Sequence, residues 1–151
     1  AEAPPGRRLA QGIYRLIETV ERGVVAAGLR PDLVVLVAPP DDPETATNPR
    51  LYRQGLDWIL ARLSRADITR GGIIPPLTRK VPAKQLESYA GACRESARVY
   101  EQKCGSRFID PAPLFADEYW RPEGALGKVT ASRPNAGGQK RLAEMIREAC
   151  R

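Results

Sequence analysis

Apolar residues at Ile13, Leu16, Ile17, Val20, Val24 and Ala27 recur at helical intervals, which lines them along one face. The pattern predicts a helix from Leu9 to Gly28, where the glycine suits a helix stop. After Pro31-Asp32 the period changes: Leu33-Val34-Val35-Leu36-Val37 is apolar throughout and rich in β-branched residues, as a parallel strand covered on both faces requires. Pro39-Pro40 closes it, since proline has no N–H to give a ladder. Helical spacing returns from Pro49 to Ser64, with Tyr52, Leu56, Ile59, Leu60 and Leu63 inward and Trp58 near the edge. A second strand is expected around Ile68 to Ile74, ended by Pro75-Pro76. A third helix spans Ala83 to Lys103 with Gly105 as its stop, and Arg107 to Asp110 makes a short third strand. The last helix covers Gly138 to Ala149, with Leu142, Met145, Ile146 and Ala149 inward. Between them, Pro111 to Ala136 is rich in proline and glycine and reads as a long loop carrying Tyr119 and Trp120. Loops of that length in a compact domain usually have a function.

Helix and strand alternate along the chain, which is the signature of a three-layer α/β/α domain around a small parallel sheet. Length and composition agree: 151 residues with 42% hydrophobic content suffice for one core and are too short for two ordinary domains. The expectation is one domain over residues 1–151, with residues 1–8 as a flexible N-terminal segment. A sheet of three strands leaves an apolar edge, so another protein chain, an upstream segment or self-association is expected to cover it.

The longest apolar run, Leu33 to Ala38, falls far short of the roughly 20 residues of a membrane span, so none is expected. The net charge of +6 comes from basic residues scattered among carboxylates, with no basic run and no interleaved aromatics. That distribution describes a solvated surface rather than a nucleic-acid interface. The opening Ala1-Glu2-Ala3-Pro4-Pro5 resembles the start left by a signal peptidase, although an artificial chain boundary has the same appearance. A periplasmic or secreted location is the expectation. Three cysteines then allow one disulfide and one free thiol. Cys104 and Cys150 are the candidate pair, because both end helices that should finish at the same edge of the sheet, while Cys93 shares an apolar helical face with Leu86, Tyr89, Ala90 and Ala97.

The chain has no histidine, the residue that most often accepts and returns a proton near neutral pH. None of its serines, Ser64, Ser88, Ser96, Ser106 and Ser132, stands beside a base in a recognisable motif. Asp41, Asp42 and Glu44 invite a metal or acid–base reading, but an acidic turn after a strand is also an ordinary helix-capping loop. Gly71-Gly72 precedes apolar residues and opens no helix, so it makes no phosphate loop. No metal and no cofactor is expected.

Four stretches in order carry a resemblance. Arg30-Pro31-Asp32-Leu33-Val34-Val35-Leu36-Val37 is similar to the strand that leads into a Gly-Thr-Asn-Asp turn in the SGNH (GDSL-like) hydrolase superfamily. Ile73-Ile74-Pro75-Pro76-Leu77 and Phe108-Ile109-Asp110 resemble the two strands that follow, and Arg133-Pro134-Asn135-Ala136-Gly137-Gly138 resembles the closing Asp-x-x-His-Pro-Asn-x-x-Gly motif. The resemblance implies a flavodoxin-like strand order, with no counterpart here for the usual first strands or their Gly-Asp-Ser motif. It also implies catalytic positions that this chain fills differently. Pro40 stands at the oxyanion-hole asparagine and has neither a side-chain amide nor an N–H, while Thr130 and Arg133 stand at the Asp-x-x-His pair. Arginine stays protonated and cannot serve as the base.

In an open parallel sheet, ligands bind beyond the carboxyl ends of the strands. Those ends should collect Asp41, Asp42, Thr78, Arg79, Ser132, Arg133 and Asn135, with Tyr119 and Trp120 nearby, as candidate ligand-binding residues. Aromatic faces with hydrogen-bonding groups suit a glycan, and arginines suit an anion. The expected function is a non-catalytic SGNH-like domain that acts as an interaction subunit or a glycan- or anion-binding module of an exported assembly. The alternatives are a fragment or subunit of an SGNH esterase, acting on carbohydrate or lipid esters, whose serine lies elsewhere, and an unrelated small α/β binding protein.

Overall fold

The computed structural model describes residues 11–122 and 133–150. Helix α1, Gln11–Val20, continues into a π-helical turn over Glu21–Val25, and Gly28 at φ +69° ends the run. Strand β1, Val34–Val37, is followed by the four-residue helix α2, Asp41–Glu44. Helix α3, Pro49–Arg65, begins where Asn48 accepts a hydrogen bond from the Arg50 N–H and Pro49 takes the first turn. Strand β2, Gly71–Ile74, leads through the double proline to helix α4, Ala83–Cys104. Gly105, in the left-handed region at φ +61°, stops α4 as expected, since a Cβ there would strike the Thr69 carbonyl. Two 3-10 turns, Ala112–Phe115 and Asp117–Trp120, precede helix α5, Ala136–Ala149. Among the described residues no helix is long and apolar enough to cross a membrane.

The sheet is smaller than the pattern predicts. β1 and β2 pair in parallel with Val34 opposite Gly71 and Val37 opposite Ile74. The expected third strand is reduced to a parallel bridge between Ile73 and Phe108, although the segment around it still exchanges hydrogen bonds with β2, Ile73 donating to Arg107 and Ile109 donating back to Ile73. The second strand likewise starts at Gly71 rather than Ile68, because Ile68 is spent on closing α3, its N–H bonded to the Leu63 carbonyl. The expected loop from Pro111 to Ala136 is partly ordered by the two 3-10 turns, and residues 123–132 lie outside the description, as do residues 1–8 of the N-terminal segment.

Alternation along β1 divides the interior. Val34 and Leu36 face a larger core built from α1, α3 and α4, in which Ile13, Tyr52, Leu56, Ile59, Ile73 and Cys93 are fully buried. Val35 faces a smaller core under α5, made of Ile74, Leu77, Ile109, Leu114 and Met145. Helices therefore cover both faces of a parallel sheet, the three-layer α/β arrangement the alternation implied.

Candidate functional site

The carboxyl ends of both strands run into double prolines, and the residues after them are drawn inward. α2 caps the end of β1, with Pro40 as its N-cap residue, contributing no side-chain hydrogen bond. Pro75 to Thr78 are buried after β2. The Thr78 hydroxyl, 1% exposed, donates to Glu44 at 2.5 Å and accepts from the Lys80 N–H at 3.1 Å, which ties the two strand exits together. Asp41 forms an ion pair with Arg15 of α1.

Asp42 is fully buried. One carboxylate oxygen accepts from the Thr47 hydroxyl at 3.1 Å, and the other has no hydrogen-bond partner. Thr47 is held in turn by Tyr89, whose hydroxyl donates to the Thr47 carbonyl at 2.5 Å. Burial pushes the Asp42 carboxyl up to about 6; the Thr47 hydroxyl pulls it down, Asp41 beside it adds to the rise, and the Ile13 N–H and Arg15 oppose it. Gly12 leaves room for that side chain, since a Cβ there would overlap it. The acidic turn forms the short helix α2 itself, with no side-chain cap at its start, and one of its members is made unusually costly to ionise.

The second group of predicted residues lies under the 3-10 turns. Arg79 donates to Asp117 at 2.9 Å and to the Phe115 carbonyl, and its guanidinium sits 5.1 Å from the Trp120 ring centre. Trp120 is buried, stacks on Phe115 at 6.3 Å and donates its indole N–H to the Leu114 carbonyl at 2.8 Å. Asn135 caps α5 by accepting from the Gly138 N–H at 2.9 Å and donates to the carbonyls of Glu118 at 2.6 Å and Arg121 at 3.0 Å. Tyr119 is half-buried and its carbonyl accepts from the Asn135 N–H. Arg133 is exposed; Ser132 and Thr130 lie outside the described residues.

Of the candidates, Asp41, Thr78, Arg79, Trp120 and Asn135 are used to hold neighbouring segments of the chain together. Trp120, one of the two aromatics expected to meet a glycan, has Arg79 and Phe115 against its ring and spends its indole N–H internally. The expected bridge between Cys104 and Cys150 is also absent: all three cysteines are free. α4 and α5 do finish at the same edge, where Gly105 and Cys150 line a common cavity. Cys104, however, belongs to the inward face of α4 and turns its thiol into the core, donating to the Tyr100 carbonyl at 3.5 Å. Cys93 is buried as expected, 3.7 Å from the Tyr52 hydroxyl, and burial pushes its thiol up to about 12.

Ser96 is fully buried and donates to Asp57 of α3 at 2.8 Å, a tie between helices, and Ser106 is buried without a partner. A groove of about 200 Å³ opens beside the exit of β2, floored by Pro75, Pro76, Leu86, Phe108 and Phe115, with Arg94 stacked 4.8 Å over Phe108. Periodicity gave no sign of it, because its lining comes from four separated segments. Arg15 and Tyr89 were missed for the same reason, since they reach Asp41 and the Thr47 carbonyl only once α1 and α4 have docked, while Thr47 meets Asp42 through the local turn after α2.

No protein-family model and no curated protein matches the chain. Solved structures do. LAE5, an alpha/beta hydrolase enzyme from the metagenome of Lake Arreo in Spain, superimposes with a TM-score of 0.71 at 17% identity, over 93% of this chain and 68% of that one. A lipolytic protein of the G-D-S-L family from Desulfitobacterium hafniense DCB-2 gives a TM-score of 0.63 at 17% identity, over 89% of this chain and 73% of that one. The fold is SGNH/GDSL-like, as the four sequence stretches suggested, and at this identity the likeness extends to the fold alone.

Proposed function

We propose that this domain keeps the hydrolase-like fold without ester hydrolysis and serves as an interaction subunit of a larger assembly. The observation that carries the reading is the pairing at the carboxyl end of the sheet, where Asp41, Thr78, Arg79, Trp120 and Asn135 all bond to other parts of the chain. A hydrolytic site needs donors preorganised toward a substrate oxyanion and a base within reach of a nucleophile. Pro40 offers no N–H where the resemblance calls for a donor, and Arg133 is a permanent cation where it calls for a base. Purified protein is expected to hydrolyse p-nitrophenyl acetate no faster than a boiled control. Turnover abolished by a serine-directed phosphonate would overturn this.

A second reading, part of an esterase whose serine lies on another segment or chain, is favoured by one observation: both hydrolase structures are longer than the stretch this chain matches. Phosphonate labelling of the protein isolated from its native source separates the two, since only a longer chain or complex that carries the serine would be labelled. Export is part of the proposal, and fractionation of the native source, with the protein outside the cytoplasm, checks it.

A further inference from the structure

The buried members of α2 are Asp42 and Pro43, so lifting this short helix exposes little apolar surface and is opposed mainly by polar contacts. Those contacts reach three neighbours. Asp41 pairs with Arg15 of α1, Glu44 accepts from the Thr78 hydroxyl beyond β2 at 2.5 Å, and the Thr47 carbonyl accepts from the Tyr89 hydroxyl of α4 at 2.5 Å. Within the turn, the N–H groups of Thr45 and Thr47 donate to the carbonyls of Asp41 and Asp42 at 2.9 and 3.0 Å.

Two costs are concentrated in the same few residues. Ala46 sits at φ +54°, in the left-handed region that an L-residue enters at a cost and keeps only where its surroundings enforce it. Asp42 is fully buried against the first turn of α1, where a Cβ on Gly12 would overlap its carboxylate, and one of its oxygens has no hydrogen-bond partner. Ionised, that carboxylate is deprived of the water it would have outside; protonated, it carries no charge to solvate. Opening the turn relieves both costs together, because Ala46 relaxes as Asp42 reaches water.

The groups around Asp42 leave the titration to it. Arg15 of α1 and Asp41 of α2 face it as an ion pair and act on it in opposite directions. Tyr52 of α3 and Tyr89 and Cys93 of α4 face it from the core, and burial pushes all three up, the thiol to about 12, so they stay neutral where Asp42 ionises. We infer that α2 and the turn to Thr47 form a cap over the carboxyl end of β1, held shut while Asp42 keeps its proton and loosened when it loses it. Release uncovers the first turn of α1 and the end of the sheet at which ligands of open parallel sheets bind. With the carboxyl near 6 in the closed turn and at its ordinary 3.8 in the open one, opening becomes easier from about pH 4 and levels off above about pH 6. Between pH 4.5 and 7.5 the opening constant should rise roughly 25-fold.

Amide hydrogen exchange by NMR in the 151-residue chain tests this, with protection taken relative to unstructured-peptide rates at each pH. The reporters are the Thr45 and Thr47 amides, and the reference is the Ile73 amide of β2, which donates to Arg107. Protection at Thr45 and Thr47 should fall roughly 25-fold from pH 4.5 to pH 7.5. Local opening exposes little surface, so about 1 M urea should change their protection by less than about twofold while lowering that of Ile73 by about fivefold or more. In Asp42→Asn the pH dependence at Thr45 and Thr47 should vanish. Should that variant fail to fold, the carbon-13 titration of the Asp42 carboxyl in the parent chain serves in its place, with a midpoint near 6 expected. Protection at Thr45 and Thr47 that ignores pH, that falls with urea as steeply as at Ile73, or that keeps its pH dependence in folded Asp42→Asn would each overturn the inference, as would a carboxyl midpoint near 3.8.

Discussion

Replacing Asp42 by asparagine tests the energetics of the strand exit most directly. A carboxyl that titrates near 3.8 in a flexible chain and near 6 in the folded one binds its proton more tightly when folded. Its favourable contribution is therefore complete below pH 3.8 and is lost as the pH rises through about 6. Each pH unit of displacement is worth about 1.4 kcal/mol, so at pH 7.5 the ionised side chain costs on the order of 3 kcal/mol relative to the fully protonated state. The source of the cost is visible: the residue is fully buried, only one oxygen has a partner, and Asp41 lies beside it. Asparagine can still accept from Thr47 and carries no charge, while its amide group takes the place of the orphaned oxygen at a pH-independent desolvation cost of about 1–3 kcal/mol. Urea denaturation of both proteins between pH 4.5 and 7.5 is the assay. Other carboxylates slope the opposite way, Glu21 for example being held below its usual range by the Arg62 hydrogen bond, so the difference between the two proteins is what counts. The stability of the parent minus that of Asp42→Asn should fall by about 2 kcal/mol across this range. A flat or rising difference would mean that Asp42 is hydrated or paired, contrary to the buried arrangement described.

The remaining expectations concern the thiols and the α5 cap. Native protein at pH 7.5 should take up one iodoacetamide group quickly, on the partly exposed Cys150, and three in urea, read by intact mass; protection of both Cys104 and Cys150 under non-reducing conditions would show that they are bridged. Asn135→Ala removes a helix cap and two donors to backbone carbonyls, a loss of about 2–3 kcal/mol by chemical denaturation. A change below about 0.5 kcal/mol would show that the 3-10 turns and α5 are not held through this side chain.

Much of the architecture was legible because it depends on local periodicity. The inward faces of α3 and α4, the stop at Gly105, and the proline-terminated strands all follow from spacing and from backbone chemistry that neighbouring residues enforce. Element ends were less legible: Ile68 has a strand-former's side chain, yet the closing bond of α3 claims its backbone. At the candidate site, residue types indicated which side chains could bind something but not what would already be bound to them. Arg79 reads as an anion ligand in the chain and as a clamp on Phe115, Asp117 and Trp120 in the fold.

The sequence by itself determined the alternation of helices and strands, the resemblance to a hydrolase superfamily, and the absence of histidine. The tertiary structure alone decided that Asp42 is sealed in, that Cys104 faces the core rather than Cys150, and that the Phe108 segment joins β2 by a bridge and not as a full strand. The difference is physical. Periodicity and proline chemistry act over a few residues, whereas desolvation and side-chain pairing arise only when segments some 30 to 40 residues apart, as in Asp42 against Gly12 or Tyr89 against Thr47, are packed together.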